Sequence, residues 1–169
     1  FLPVPLVVHK GFEPPSFVDP STLVVAISAS GDSPEVIASA ATCVEAGAKL
    51  FAVTSGGQLG ALADSVEAPT VYLPKAGEGP HVPPRARIGA LSVPVLKAFD
   101  AMGLYPGGRD WIAAAIEQLK RRRDQLAGPD GLADRLAREL AGTIPLVYGG
   151  GVLGGVAASR WKAQLNLSA

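Results

Sequence analysis

Three serines, a glycine and an aspartate crowd into one short stretch, Ser28-Ala29-Ser30-Gly31-Asp32-Ser33, between an apolar run and a helical pattern. That combination suits an oxyanion such as phosphate. Hydroxyls donate hydrogen bonds to its oxygens, a glycine lets the backbone come close, and a helix start adds free N–H groups and the positive end of the macrodipole. Pro34 fits the first helical position, where its missing N–H is no loss, and Ser33 fits the N-cap before it. The same residues also describe a well-capped helix after a tight turn, with the serines serving only the backbone. Asp32 opposes an anion unless its carboxylate turns away. Both readings stand on the residues alone.

Other stretches carry weaker signals. Gly149, Gly151 and Gly154 spell G-x-G-x-x-G after an apolar run. A dinucleotide site also asks for an acidic residue about twenty positions later, and no Asp or Glu follows Glu139. Lys120-Arg121-Arg122-Arg123 lies beside Glu117 and Asp124 on a helix with an apolar opposite side, which reads as a solvated face. Cys43, with no basic neighbour in sequence, reads as a buried structural thiol. No His, Cys, Asp and Glu cluster has metal-ligand spacing, so neither a metal nor a cofactor is expected.

The elements that would position these residues follow from apolar periodicity. Residues 22–28 (TLVVAIS) and 49–55 (KLFAVTS) are continuous apolar runs that predict buried parallel strands, with a third at 70–74 (TVYLP). Residues 3–10 (PVPLVVHK) could form a further short strand. Val36, Ile37, Ala40, Ala41 and Val44 recur at helical spacing, and Gly47 sits where a C-cap would. A long loop spans 75–87. Helical patterns cover 88–103, with Pro94 as a start, stop or kink, then 110–128 and 132–140. From Thr143 the strand–turn–helix pattern restarts at IPLVYGGG. Alternation of this kind predicts an α/β fold built on a doubly wound parallel sheet with flanking helices.

Bulk composition excludes some classes. Lys plus Arg and Asp plus Glu are 15 each, so the formal net charge is zero, which disfavours nucleic acid as a main partner. The most apolar stretch, 144–158, is too short and glycine-rich for a membrane span, and no signal peptide is evident. A single cysteine suits a reducing, cytoplasmic setting.

SASGDSPE at 28–35, ending a hydrophobic strand and opening a helix, resembles the signature S-x-S-G-[D/N]-[S/T]-x-E of the sugar isomerase (SIS) domain. AVTSGG at 52–57, PPRA at 83–86 and RWKAQLN at 160–166 are similar to segments of the bifunctional phosphoglucose/phosphomannose isomerase family, in the same order. The resemblance implies two SIS domains joined by helices, working as a homodimer on a phosphorylated hexose. It divides this chain into an SIS domain at 1–104 without its first strand and helix, a helical linker at 105–142, and the start of a second SIS unit at 143–169. It assigns Ser28, Ser30, Gly31 and Ser33 to the sugar phosphate. Arg85, with Arg87 as its rival, would stabilise the anionic enediolate of aldose–ketose isomerisation.

One departure matters. The family's R-W-K-x-Q-x-N-E-N-A-K segment supplies a glutamate base, but here Leu167 follows Asn166 and Ser168 replaces the next asparagine. Leucine cannot move a proton between C1 and C2. His81 is the nearest substitute in sequence to Arg85, and His9 has less to recommend it. Two functions are therefore expected: a phosphohexose isomerase, or a phosphosugar-binding sensor or regulator that has lost the base.

Overall fold

The computed structural model describes residues 3–75, 78, 86–128 and 130–166. The chain divides into two compact units, Phe1–Arg109 and Asp110–Ala169.

The first unit is built on a three-stranded parallel sheet in the order β1 (Leu23–Ser28), β2 (Lys49–Thr54), β3 (Thr70–Tyr72). Helices α1 (Pro34–Glu45) and α2 (Gly57–Ser65) connect the strands, and α3 (Ile88–Ala101) follows. Period-two alternation along β2 sends its side chains into two separate cores. Leu50 and Ala52 join Ala26, Ala40, Leu59 and Ala63 on the α1–α2 face. Phe51 and Val53 join Leu73 on the other face, against Leu91, Val95 and Ala98 of α3. Helices on both faces make the sheet doubly wound, as the apolar runs predicted. Alanines at 26, 40, 52 and 63 let helix and sheet approach closely. Leu59, with no exposed surface, anchors α2 by burial worth about 1.5–3 kcal/mol.

Helix ends follow the sequence closely. Past α1, Gly47 takes φ +82°. Its N–H donates to the Val44 carbonyl at 2.9 Å and the Ala48 N–H to that of Cys43 at 3.0 Å, which closes the helix with a glycine in the left-handed region. Pro94 neither starts nor stops α3 but lies inside it.

In register, Ser28 of β1 pairs with Thr54 of β2, and Thr54 with Tyr72 of β3. Three hydroxyl-bearing residues therefore line up at the carboxyl edge of the sheet. Ligands of open α/β sheets bind at that edge.

Two expected strands are not present. Residues 3–10 form no strand, and Leu6, Val7 and Val8 are exposed. Pro3 and Pro5 lack the N–H groups a ladder needs. In the second unit, 144–150 also form no strand, with Ile144 and Tyr148 almost fully exposed. A strand is stable only beside another, and the described residues of this unit are otherwise helical: α4 (Gly108–Leu126, which begins two residues before the unit does), α5 (Leu132–Leu140) and α6 (Gly151–Asn166). The glycine pattern at 149–154 does form a tight turn. A Cβ on Gly149 would come within 1.9 Å of the Gly154 carbonyl oxygen. It lacks the preceding strand that a dinucleotide site requires.

On α4, Lys120 pairs with Glu117 and Arg123 with Asp124, each at 2.8 Å between well-exposed side chains. The basic run is thus a solvated face, and such pairs contribute little to stability. No helix among the described residues is long and apolar enough to cross a membrane.

Candidate functional site

The β1–α1 loop leaves the sheet at Ser28 and must reverse direction to start α1 at Pro34. Gly31 makes that turn at φ +85°. Its position is also set by a neighbour, because a Cβ there would fall 1.8 Å from the Gly56 carbonyl oxygen and 2.7 Å from Thr54 Oγ1. Only glycine fits. The β1–α1 loop therefore lies directly on the β2–α2 turn.

The three serines do different jobs. Ser28 is buried. Its Oγ accepts the Gly31 N–H at 3.1 Å and pairs with Ser33 Oγ at 2.9 Å. Ser30 is exposed, and its Oγ accepts the Asp32 N–H at 3.2 Å. Ser33 occupies the N-cap position of α1 with extended backbone, yet its side chain makes no cap hydrogen bond. Instead its carbonyl receives the N–H groups of Val36 and Ile37 at 3.1 and 3.0 Å. The expectation of a side-chain cap is thus corrected: packing against buried Ser28 draws the Ser33 hydroxyl away from the helix end. Where Ser28 donates to Ser33, the Ser33 proton stays available for an outside acceptor. Ser30 Oγ likewise accepts internally and keeps its proton.

Asp32 does turn away. Its Oδ1 accepts the N–H of Gln58, in the first turn of α2, at 3.1 Å. The negative charge therefore sits at the positive end of α2 rather than over α1.

The β2–α2 turn, whose Thr54-Ser55-Gly56-Gly57 had no role assigned from sequence, supports this loop. Ser55 donates twice to the Ala29 carbonyl, from Oγ at 2.6 Å and from N–H at 3.1 Å. Thr54, fully buried, donates through Oγ1 to the Gly56 carbonyl at 2.9 Å and fixes the turn. The paired glycines after a strand were the sequence signal for it.

Beside this turn opens a groove of about 520 Å³, bordered by Ser55, Gly56, Gly57, Tyr72 and Lys75 among others. Tyr72 donates its phenol proton to Asp64 Oδ1 at 2.7 Å. That hydrogen bond first, then partial burial and the Asp64 charge, raise the phenol above its ordinary pKa.

Arg85, His81, Leu167 and Ser168 lie outside the described residues. Arg87 stands at the start of α3. His9 is exposed and, among the described residues, hydrogen-bonds within its own loop, with Gly11. Cys43 is buried in α1, and burial raises its thiol pKa against a smaller opposing hydrogen bond from Ser39. Among the described residues, no group of three or more metal-ligating side chains comes together.

A family model for the bacterial phospho-glucose isomerase C-terminal SIS domain matches residues 130–169, which include α5 and α6. Nearly the whole chain is similar to curated proteins named bifunctional phosphoglucose/phosphomannose isomerase. The one from Caldicellulosiruptor bescii is 30% identical over 166 residues, covering 96% of this chain and 48% of that protein. The one from Thermoplasma acidophilum is 30% identical over 167 residues, covering 98% and 48%. The one from Aquifex aeolicus is 28% identical over 162 residues, covering 96% and 46%. No solved structure matches the chain. By sequence, then, the chain is an SIS-domain relative of the bifunctional phosphoglucose/phosphomannose isomerases and spans about half of their length.

Proposed function

We propose that the chain binds a phosphorylated hexose, with the phosphate at the β1–α1 loop against Ser30, Ser33 and the start of α1. Ser28 and Gly31 shape the loop from beneath. The observation that carries this reading is the Ser33 hydroxyl, held off its own helix by Ser28 at 2.9 Å while Asp32 is drawn to α2. A loop that only capped α1 would spend Ser33 on the helix N–H groups.

The reaction we assign is aldose–ketose isomerisation between glucose 6-phosphate or mannose 6-phosphate and fructose 6-phosphate, which the names of the relatives support. In it, Arg85 would stabilise the enediolate. The same reading takes 1–104 as one SIS domain, 105–142 as a linker and 143–169 as the opening of a second, in a cytoplasmic homodimer. Leu167 favours a second reading, because no carboxylate stands at the base position. On that reading the chain binds the sugar phosphate as a sensor or regulator.

Thermal unfolding with fructose 6-phosphate tests binding, with free fructose plus inorganic phosphate as the control. At a hundred times its Kd the ligand should add about 2.7 kcal/mol of stability. That corresponds to a rise in Tm of roughly 5–10 °C. Ser33→Ala should fold and lose the rise. An equal rise in that variant, or none in the parent protein, refutes the site.

A further inference from the structure

Helix α2 begins without a capping side chain of its own. Its N-cap is Gly56, at φ +129°, followed by Gly57 at φ +63°. The acceptor comes instead from 26 residues earlier in the chain, where Asp32 Oδ1 takes the Gln58 N–H at 3.1 Å. The Gly31 carbonyl takes the next one, from Leu59, at 2.9 Å. Two consecutive N–H groups at the start of α2 are thus satisfied by two consecutive residues of the serine loop. The fit is close on both sides: a Cβ on Gly57 would lie 2.7 Å from Asp32 Oδ1. Helix α2 is itself fixed to the sheet, since Leu59 and Ala63 have no exposed surface.

We propose that Asp32 is a positioning residue for anion binding, which caps α2 in trans and so clamps the Ser30–Ser33 loop to the sheet. This rests on the phosphosugar reading of that loop. The arrangement accounts for a carboxylate inside an anion-binding stretch. Its hydrogen bond is needed for the loop's shape, and its charge is placed at the positive end of a different helix from the one that faces the phosphate. The hydrogen bond, not the charge, carries the role, so asparagine should serve in its place.

The test compares Asp32→Ala and Asp32→Asn by amide hydrogen exchange without ligand and by the Kd for fructose 6-phosphate. Asp32 is exposed, so neither variant removes core packing. Loss of one such hydrogen bond in Asp32→Ala should speed exchange at Gln58 about tenfold and weaken fructose 6-phosphate binding by about the same factor. Asp32→Asn should keep both within about twofold of the parent protein, since its side-chain oxygen still accepts. Parent-like exchange at Gln58 in Asp32→Ala overturns the clamp. Equal losses in Asp32→Asn and Asp32→Ala overturn it too, by showing that charge is what counts. Should the parent protein not bind fructose 6-phosphate, the phosphosugar reading and the anion-positioning role both fall. The Gln58 exchange rates then report only whether Asp32 caps α2.

Discussion

Replacing Gly31 with alanine strikes the contact on which the candidate site depends. Two costs add. At φ +85° an alanine occupies the left-handed region, at a penalty of about 1–2 kcal/mol. The new methyl would also stand 1.8 Å from the Gly56 carbonyl oxygen, a backbone atom that cannot rotate aside. Relief requires the β1–α1 loop and β2–α2 turn to part. That loosens the hydrogen bonds from Ser55 to Ala29 and from Leu59 to Gly31. Each is worth about 0.5–1.5 kcal/mol net. With both Ser55 bonds and the Leu59 bond weakened, the total comes to about 2.5–6.5 kcal/mol, a large share of the roughly 5–15 kcal/mol that holds a domain folded. Urea unfolding followed by far-ultraviolet circular dichroism and by amide hydrogen exchange in β1 and β2 measures it. A fall in midpoint with unchanged slope is the expected result. A loss no greater than about 1–2 kcal/mol would refute the interlock of the two turns, because the φ penalty alone accounts for that much.

Two further outcomes follow from single residues. On the isomerase reading proposed above, Leu167→Glu puts a carboxylate at the base position implied by the family resemblance of 160–166, so it should raise the interconversion of glucose 6-phosphate and fructose 6-phosphate in a coupled assay by about 100-fold or more. No gain would mean that more of the catalytic arrangement than the base is absent. Cys43 should resist iodoacetamide at pH 8 in the folded protein and react quickly in urea, because burial keeps the thiol protonated. A raised folded-state pKa contributes stability that is intact below the ordinary thiol value and is lost as the pH climbs past it toward the folded one. Equal labelling rates in native buffer and urea would refute burial.

Much of the first unit could be read directly from local pattern. β-branched apolar runs specify β1 and β2, helical spacing specifies α1, and a glycine at 47 specifies where α1 stops, because each of these effects acts over a few neighbouring residues. The serine loop was legible for the same reason. Its chemistry lies in residue types, and its place after a strand puts it at the sheet's carboxyl edge. The strands expected at 3–10 and 144–150 failed because a strand is a property of two segments, and periodicity reports only one.

Tertiary structure alone decided what each side chain in the loop does. By sequence, Ser33 is an N-cap and Asp32 an obstacle to phosphate. In the fold, Ser33 keeps the N-cap position but its hydroxyl turns to Ser28, and Asp32 spans 26 residues to serve α2. Both depend on a contact between two turns distant in sequence, which exists because β1 and β2 pair in parallel and bring Ser28 level with Thr54. Sequence names the donors and acceptors available, but a hydrogen bond goes to the partner that packing brings within 3 Å or so. That is why the residues could be listed before the fold was known, and their roles could not.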